Sequence, residues 1–157
     1  MASRVETVAG TRLYISATIP ETFDQAGYES TDVVWTEIGE VTDGGEHGRE
    51  FNPVEHRPIA TRGRQIFKGS FSEGSKTVQL AVDRDNAGQV IARAALLSDN
   101  DYSFKVAYQG GDIDYFQGKI FSFKVAATSV DTIRSATMQL EITTSSAGVG
   151  IIEVTAP

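Results

Sequence analysis

Two histidines, His47 and His56, stand among Asp43, Glu46, Glu50 and Glu55, a nitrogen and oxygen donor set of the kind a divalent cation accepts. Neither has a second histidine at the i+2 to i+4 spacing that pre-sets a rigid site, so the stretch reads as a solvated acidic loop and no metal is expected. Asp83-Arg84-Asp85-Asn86-Ala87-Gly88 begins like a calcium loop, with Asp at the first and third positions and Gly at the sixth. Its fifth position is Ala87 and its twelfth, where a bidentate Glu is required, is Ala94, so the calcium reading fails. Ser70-Phe71-Ser72-Glu73-Gly74 misses the nucleophile elbow at its first position and joins two strand-like runs instead of a strand and a helix. Gly148-Val149-Gly150 has neither a following helix nor a phosphate-binding lysine. The carboxylate pairs Asp99/Asp101 and Asp112/Asp114 fall at turns, where Asp is favoured for bonding its own backbone. There is no cysteine, which removes disulfides, thiolate metal ligands and thiol nucleophiles together. The chain is expected to be no enzyme and to need no cofactor.

The elements that would carry a function are mostly strands. The 157 residues suffice for one domain with a core of its own, and 40% hydrophobic with 22% charged residues is a globular composition. Leu13, Ile15, Ala17 and Ile19 alternate with polar residues in a strand over 10–19 that Pro20 stops, and 33–39, holding the single Trp35, is another. Residues 21–32 read as a loop. Between Val41 and Pro58 periodicity fails, and a polar loop over 42–58 is expected, of a length that inside a compact domain is usually functional. Runs at 65–71 and 77–83, joined by Ser72-Glu73-Gly74-Ser75, predict a hairpin. Asp85 as N-cap and the stripe Ala87, Val90, Ile91, Ala94, Leu97 predict a helix over 86–97. Strands follow at 102–109 and 113–126 around Gly110-Gly111-Asp112. Another runs over 134–144, where Ala136, Met138, Leu140 and Ile142 alternate with Thr137, Gln139, Glu141 and Thr143, and a short one covers 149–154. The expected fold is mainly β, an antiparallel sandwich or barrel with one packed helix, in a single domain over 1–157 with terminal arms at about 1–10 and 146–157.

Charge is distributed unevenly. The formal net charge is −7, which argues against a sequence-reading nucleic-acid binder. Residues 21–55 hold ten acids against Arg49 alone, whereas 57–68 hold Arg57, Arg62, Arg64 and Lys68 with no acid. Such blocks either pair within the fold or meet across a head-to-tail interface between copies. No apolar run is long enough to span a bilayer, and the first residues lack the apolar core of a signal peptide, which predicts synthesis in the cytoplasm.

The order of elements resembles the tail tube proteins of long-tailed bacteriophages. The likeness rests on Ile38-Gly39-Glu40-Val41-Thr42 opening into a Gly-rich excursion, on Gly69 in the strand after it, and on the 83–97 strand-to-helix corner. Phe116-Gln117-Gly118-Lys119-Ile120 in a late strand adds to it. The resemblance implies a virion protein whose sheets join into a ring-shaped β-barrel, as hexameric rings stacked head to tail around a lumen that DNA traverses without specific binding. It implies tail tip or initiator, tape measure and tail terminator proteins as further partners. It assigns the 42–58 stretch and both chain ends to contacts between rings. With the charge blocks, that puts Asp43, Glu46, Glu50, Phe51, Arg57, Arg62 and Arg64 at the assembly interface. Thr137, Gln139 and Glu141 are lumen candidates, on the polar face of a half-buried strand. Two other readings stand beside it. One is a β-sandwich module binding carbohydrate or protein through Phe51, Tyr28 or Phe23. The other is a tube protein of a contractile or type VI-like apparatus.

Overall fold

The computed structural model describes residues 3–157; Met1 and Ala2, the start of the expected N-terminal arm, lie outside the described residues. The elements are β1 (Arg12–Ser16), α1 (Gln25–Tyr28), β2 (Thr36–Ile38), β3 (Val41–Asp43), β4 (Glu50–His56), β5 (Gln65–Ser72), β6 (Ser75–Ala81), α2 (Ala87–Leu96), β7 (Tyr102–Ala107), β8 (Ile113–Ala126), β9 (Ser135–Thr143) and β10 (Ile152–Val154). The main sheet is antiparallel in the order β2-β1-β7-β8-β9-β6-β3, with β10 also on β8. β4 and β5 form a separate two-stranded ribbon.

β8 is the spine. Its 14 residues outrun every neighbour: one edge pairs with β7 from Ile113 to Gly118, the other with β10 and then with β9 as far as Ala126. Beyond Gly118 it pairs with β9 alone. A bulge between Ile120 and Ser122 turns Phe121 out to solvent. The alternation read in β9 holds, since Ala136, Met138, Leu140 and Ile142 are all buried. They join Leu13, Ile15, Val78, Leu80, Phe104 and Phe116 in one cluster that α2 closes with Ala92 and Ala95.

The ends of the strand order, β2 and β3, are consecutive in the chain, joined by Gly39 and by Glu40 at φ 62°. α2 fastens this corner. The buried Gln89 donates from Nε2 to the carbonyls of Gly39 (3.1 Å) and Ala81 (2.9 Å), while its Oε1 accepts from the Asp83 amide (3.0 Å). Asn86, not Asp85, is the N-cap, and its Oδ1 accepts from the amides of both Gln89 and Gly39. Every polar atom of the Gln89 amide group is thus answered, as burial demands.

That anchoring overturns the predicted phase of the helix. Gly88, Gln89, Ala92 and Ala95 face inward, whereas Val90 is half exposed and Leu97 lies open to solvent. The inward face is small because the helix lies directly on β2: a Cβ at Gly88 would collide with the Glu37 carbonyl. Two further expectations are corrected. The 42–58 stretch is not a loop, since it contains β3 and β4. β5 and β6 do not form a hairpin; β5 pairs with β4, and β6 pairs with β3 and β9. Residues 21–32 also contain α1, capped by Asp24 Oδ1 accepting from the Gly27 amide at 2.7 Å.

Opposite the core face, the segment around α1 covers β1, β7 and β8. Tyr28 stacks on Tyr115 at 5.2 Å, Trp35 Nε1 donates to the Tyr28 carbonyl, and Lys105 Nζ lies 4.3 Å over the Tyr14 ring. Burial, with Glu29 close by, pushes the Tyr115 hydroxyl up to about 12.

Candidate assembly surface

The β4–β5 ribbon has solvent on both sides. All seven residues of β4 and seven of the eight in β5 are exposed, and none of them belongs to the core cluster. Cross-strand pairs hold it together: Phe51 lies opposite Phe71 with ring centroids 5.6 Å apart, Val54 lies opposite Phe67, and Asn52 Nδ2 donates to Ser70 Oγ. Cations cap the aromatic pair, with the Arg49 guanidinium 3.9 Å over Phe71 and Lys68 Nζ 4.9 Å over Phe51. A two-stranded ribbon is marginally stable alone in water, and this one leaves Val54, Ile66 and Phe67 half exposed and Ile59 fully so.

The charge blocks resolve into a basic tip and an acidic root. Within the ribbon, Glu55 accepts from Arg64 at 2.8 Å and from Arg57 at 3.3 Å. Among the described residues Arg62 makes no ion pair, and neither do Asp43, Glu46 or Glu50. The acids of the root therefore do not neutralise the arginines of the tip. Seven expected interface residues lie on this one projection, at its root (Asp43, Glu46), along its strand (Glu50, Phe51) and at its tip (Arg57, Arg62, Arg64).

The root is anchored by buried polar groups that no local motif announces. Arg49 Nε donates to Glu73 Oε1 at 2.6 Å, and Glu73 is buried. His47 is not solvated as expected. Its Nδ1 lies 3.1 Å from Lys76 Nζ, and its Nε2 lies 2.7 Å from Asp114 Oδ2. An ammonium has only donors, so Nδ1 accepts from Lys76 and Nε2–H donates to Asp114. The Tyr108 hydroxyl donates to the same Asp114 oxygen at 2.7 Å. Burial lowers the Lys76 ammonium to about 8, against the pull of Asp114 and Asp43. Burial by itself would raise Asp114, but the hydrogen bonds from His47 and Tyr108 hold it below the usual carboxylate range. A cleft of about 500 Å³ opens over this root. No group of three or more metal-ligating side chains occurs among the described residues.

The lumen candidates share one face, away from the core. Thr137 is exposed, and Gln139 Nε2 donates to Glu141 Oε1 at 3.1 Å. Lys124 lies opposite Thr137 and Lys119 opposite Glu141, so the face is polar and of mixed sign. Lys119 also pairs with Asp101. Of the aromatics expected for a binding module, Tyr28 is fully buried and Phe51 is packed into the ribbon.

A seven-strand path closed by one helix, with a two-stranded projection between β3 and β6, has solved counterparts. The anti-feeding prophage baseplate, 6-fold symmetrised, contains a chain that matches with TM-score 0.68 over 98% of this chain and 97% of that one, at 8% identity. The SPP1 tail tube matches with TM-score 0.61 over 96% and 80%, at 14% identity. The chain has the tail-tube fold. The anti-feeding prophage cap, a tube-terminating cap, shares it as well, with TM-score 0.57 over 99% and 96% at 11% identity. No family model matches the sequence, and no curated protein matches it. The tail-tube fold thus extends over nearly the whole length, ribbon included, and no helix among the described residues is long and apolar enough to cross a membrane.

Proposed function

We infer that the chain is a structural virion subunit that polymerises as stacked hexameric rings into the hollow tail tube through which phage DNA leaves the head. The observation that carries this is the match to the SPP1 tail tube over 96% of this chain. Two features of the chain fit it. Among the described residues the ribbon pairs with no other strand, and the edge of β8 beyond Gly118 has no partner strand and carries the exposed Phe121. Ring closure through sheet edges answers the second, and ring stacking through the ribbon and the chain ends answers the first. In this reading the other partners are tail tip or initiator, tape measure and terminator proteins. A second reading, a tube-plan subunit of a baseplate or terminating cap, is favoured by the two anti-feeding prophage matches.

Negative-stain electron microscopy across a concentration series, with light scattering, tests the reading. Hollow tubes of uniform width are the expected result, isolated rings that never lengthen favour the baseplate or cap role, and a persistent monomer at high concentration counts against both. The polar face of β9 is assigned to the lumen. Glu141→Lys adds a third lysine beside Lys119 and Lys124, where passing phosphates would be held. Tubes of normal width that eject DNA more slowly are expected, and ejection at the parental rate overturns the assignment.

A further inference from the structure

We propose that the basic tip of the ribbon docks into a specific acidic groove of a second copy, the groove formed by residues 18–33 around α1. The proposal rests on the tube reading and adds the receiving surface to it.

The two surfaces are complementary in charge and in apolar content. Residues 57–64 contain three arginines and no acid, and the tip exposes Ile59 at 97%. Arg62 makes no ion pair among the described residues, and its φ of 60° is uncommon outside glycine. Residues 18–35 carry Glu21, Asp24, Glu29 and Asp32 with no lysine or arginine. Asp24 is occupied with capping α1, and Glu29 accepts from Gln25 and Tyr115. Glu21 and Asp32 are exposed, make no ion pair among the described residues, and flank a cleft of about 420 Å³ whose wall includes Ile19, Pro20 and Val33. An isoleucine flanked in sequence by arginines fits a cleft with an apolar wall and acids at its rim.

The competing acceptor is the cleft at the ribbon's own root, lined by Glu46 and Glu153 among others. Its charge is already answered in part by Arg49 and Lys76. Position decides between the two. β1 begins opposite Ala107, beside the Tyr108 and Asp114 that hold the root, and ends at Ser16 opposite Ser103, whose hydroxyl donates to the Thr18 carbonyl at 2.8 Å. The groove therefore lies past the far end of β1 from the root. Both contacts join unlike patches, but a tip in that groove links one copy to the end of the next that lies away from its root, a head-to-tail contact that propagates, whereas the root cleft lies beside the receiving copy's own ribbon.

The test uses full-length protein in three forms: a tip reversal (Arg62→Glu with Arg64→Glu), a groove reversal (Glu21→Arg with Asp32→Arg) and an equimolar mixture of the two. Each reversal alone is expected to raise the concentration needed for tubes by about tenfold or more, because a like charge now faces the contact at every repeat. The mixture, or all four changes on one chain, restores assembly toward the wild-type concentration. Raising salt from about 0.1 M to about 1 M weakens wild-type tubes, as the screening length falls from about 10 Å to about 3 Å. If the groove reversal polymerises normally while the tip reversal does not, the ribbon assembles through another receiver and this proposal falls while the tube reading stands. It falls in the same way if Glu153→Arg blocks assembly and the groove reversal does not. If the wild type forms neither rings nor tubes, the tube reading itself falls, and this proposal with it.

Discussion

Asp114→Ala is expected to lower the melting temperature by about 6–12 °C, the shift that a loss of about 3 kcal/mol produces in a domain of this length. The carboxylate is the acceptor for two donors, His47 Nε2–H and the Tyr108 hydroxyl, each at 2.7 Å, and it acts more strongly than Asp43 on the charge of Lys76, which is 3% exposed. Removing it leaves a buried cation with only Asp43 acting on its charge, together with two part-buried donors that have lost their acceptor. Asp114→Asn keeps an acceptor oxygen and loses only the charge, so its loss should be smaller. The pH profile separates these contributions. Lys76 titrates at about 8 in the folded chain and higher when unfolded, so between those values the unfolded state binds more protons and stability rises with pH. Asp114 is depressed, so its contribution is present above the ordinary carboxylate range and is lost as pH falls through the lowered folded value. In Asp114→Ala the Lys76 rise begins at lower pH and the acid limb flattens. Thermal melts by circular dichroism from pH 3 to pH 10 read both effects, and a variant that melts with the parent overturns the network's role.

This network was the least legible part of the chain, because its members lie far apart in sequence; His47 and Asp114 are 67 residues distant. One signal was present. Lys76 shares the strand phase of Val78 and Leu80, so a lysine occupies a buried register, and a buried lysine needs an acceptor. The strands that bury one face were legible because burial writes alternation into the sequence: β8 has the predicted bounds, and β9 is within a residue of them at each end. β4 buries neither face, so no alternation marked it and Gly44, Gly45 and Gly48 suggested a loop. β5 and β6 are each genuine strands, but which strand pairs with which is decided by long-range contacts that a short glycine-containing connection cannot specify. The helix misled through Gln89. Hydropathy places a glutamine outside, whereas three hydrogen bonds to the β2–β3 corner and the end of β6 make it the inward anchor. The residues expected at the interface form a contiguous charge boundary, 43–64, and fall on one projection because that segment is continuous in sequence.

The ribbon should separate folding from assembly. Pro53 and Lys68 face each other across it, so replacing 54–67 by Asn-Gly closes the remaining strands with a two-residue turn suited to a hairpin. The change removes Ile59, Arg57, Arg62, Arg64, Val54 and Phe67, and leaves Arg49, Glu73, His47 and the whole core cluster in place. Since no residue of the ribbon contributes to that cluster, the shortened protein should melt within about 2 °C of the parent, the range expected of surface changes of about 0.5 kcal/mol. Its assembly should be abolished. Asp114→Ala has the opposite signature: it damages the fold through groups the ribbon tip never touches. Deleting 43–51 would confound the two, because it removes His47 and Arg49 and with them the root. Light scattering and electron microscopy of the shortened form, beside its thermal melt, distinguish the cases. A folded monomer that no longer lengthens into tubes places the assembly contact in the outer ribbon. Tubes of parental length from the shortened form would overturn that placement and send the search to the open edge of β8.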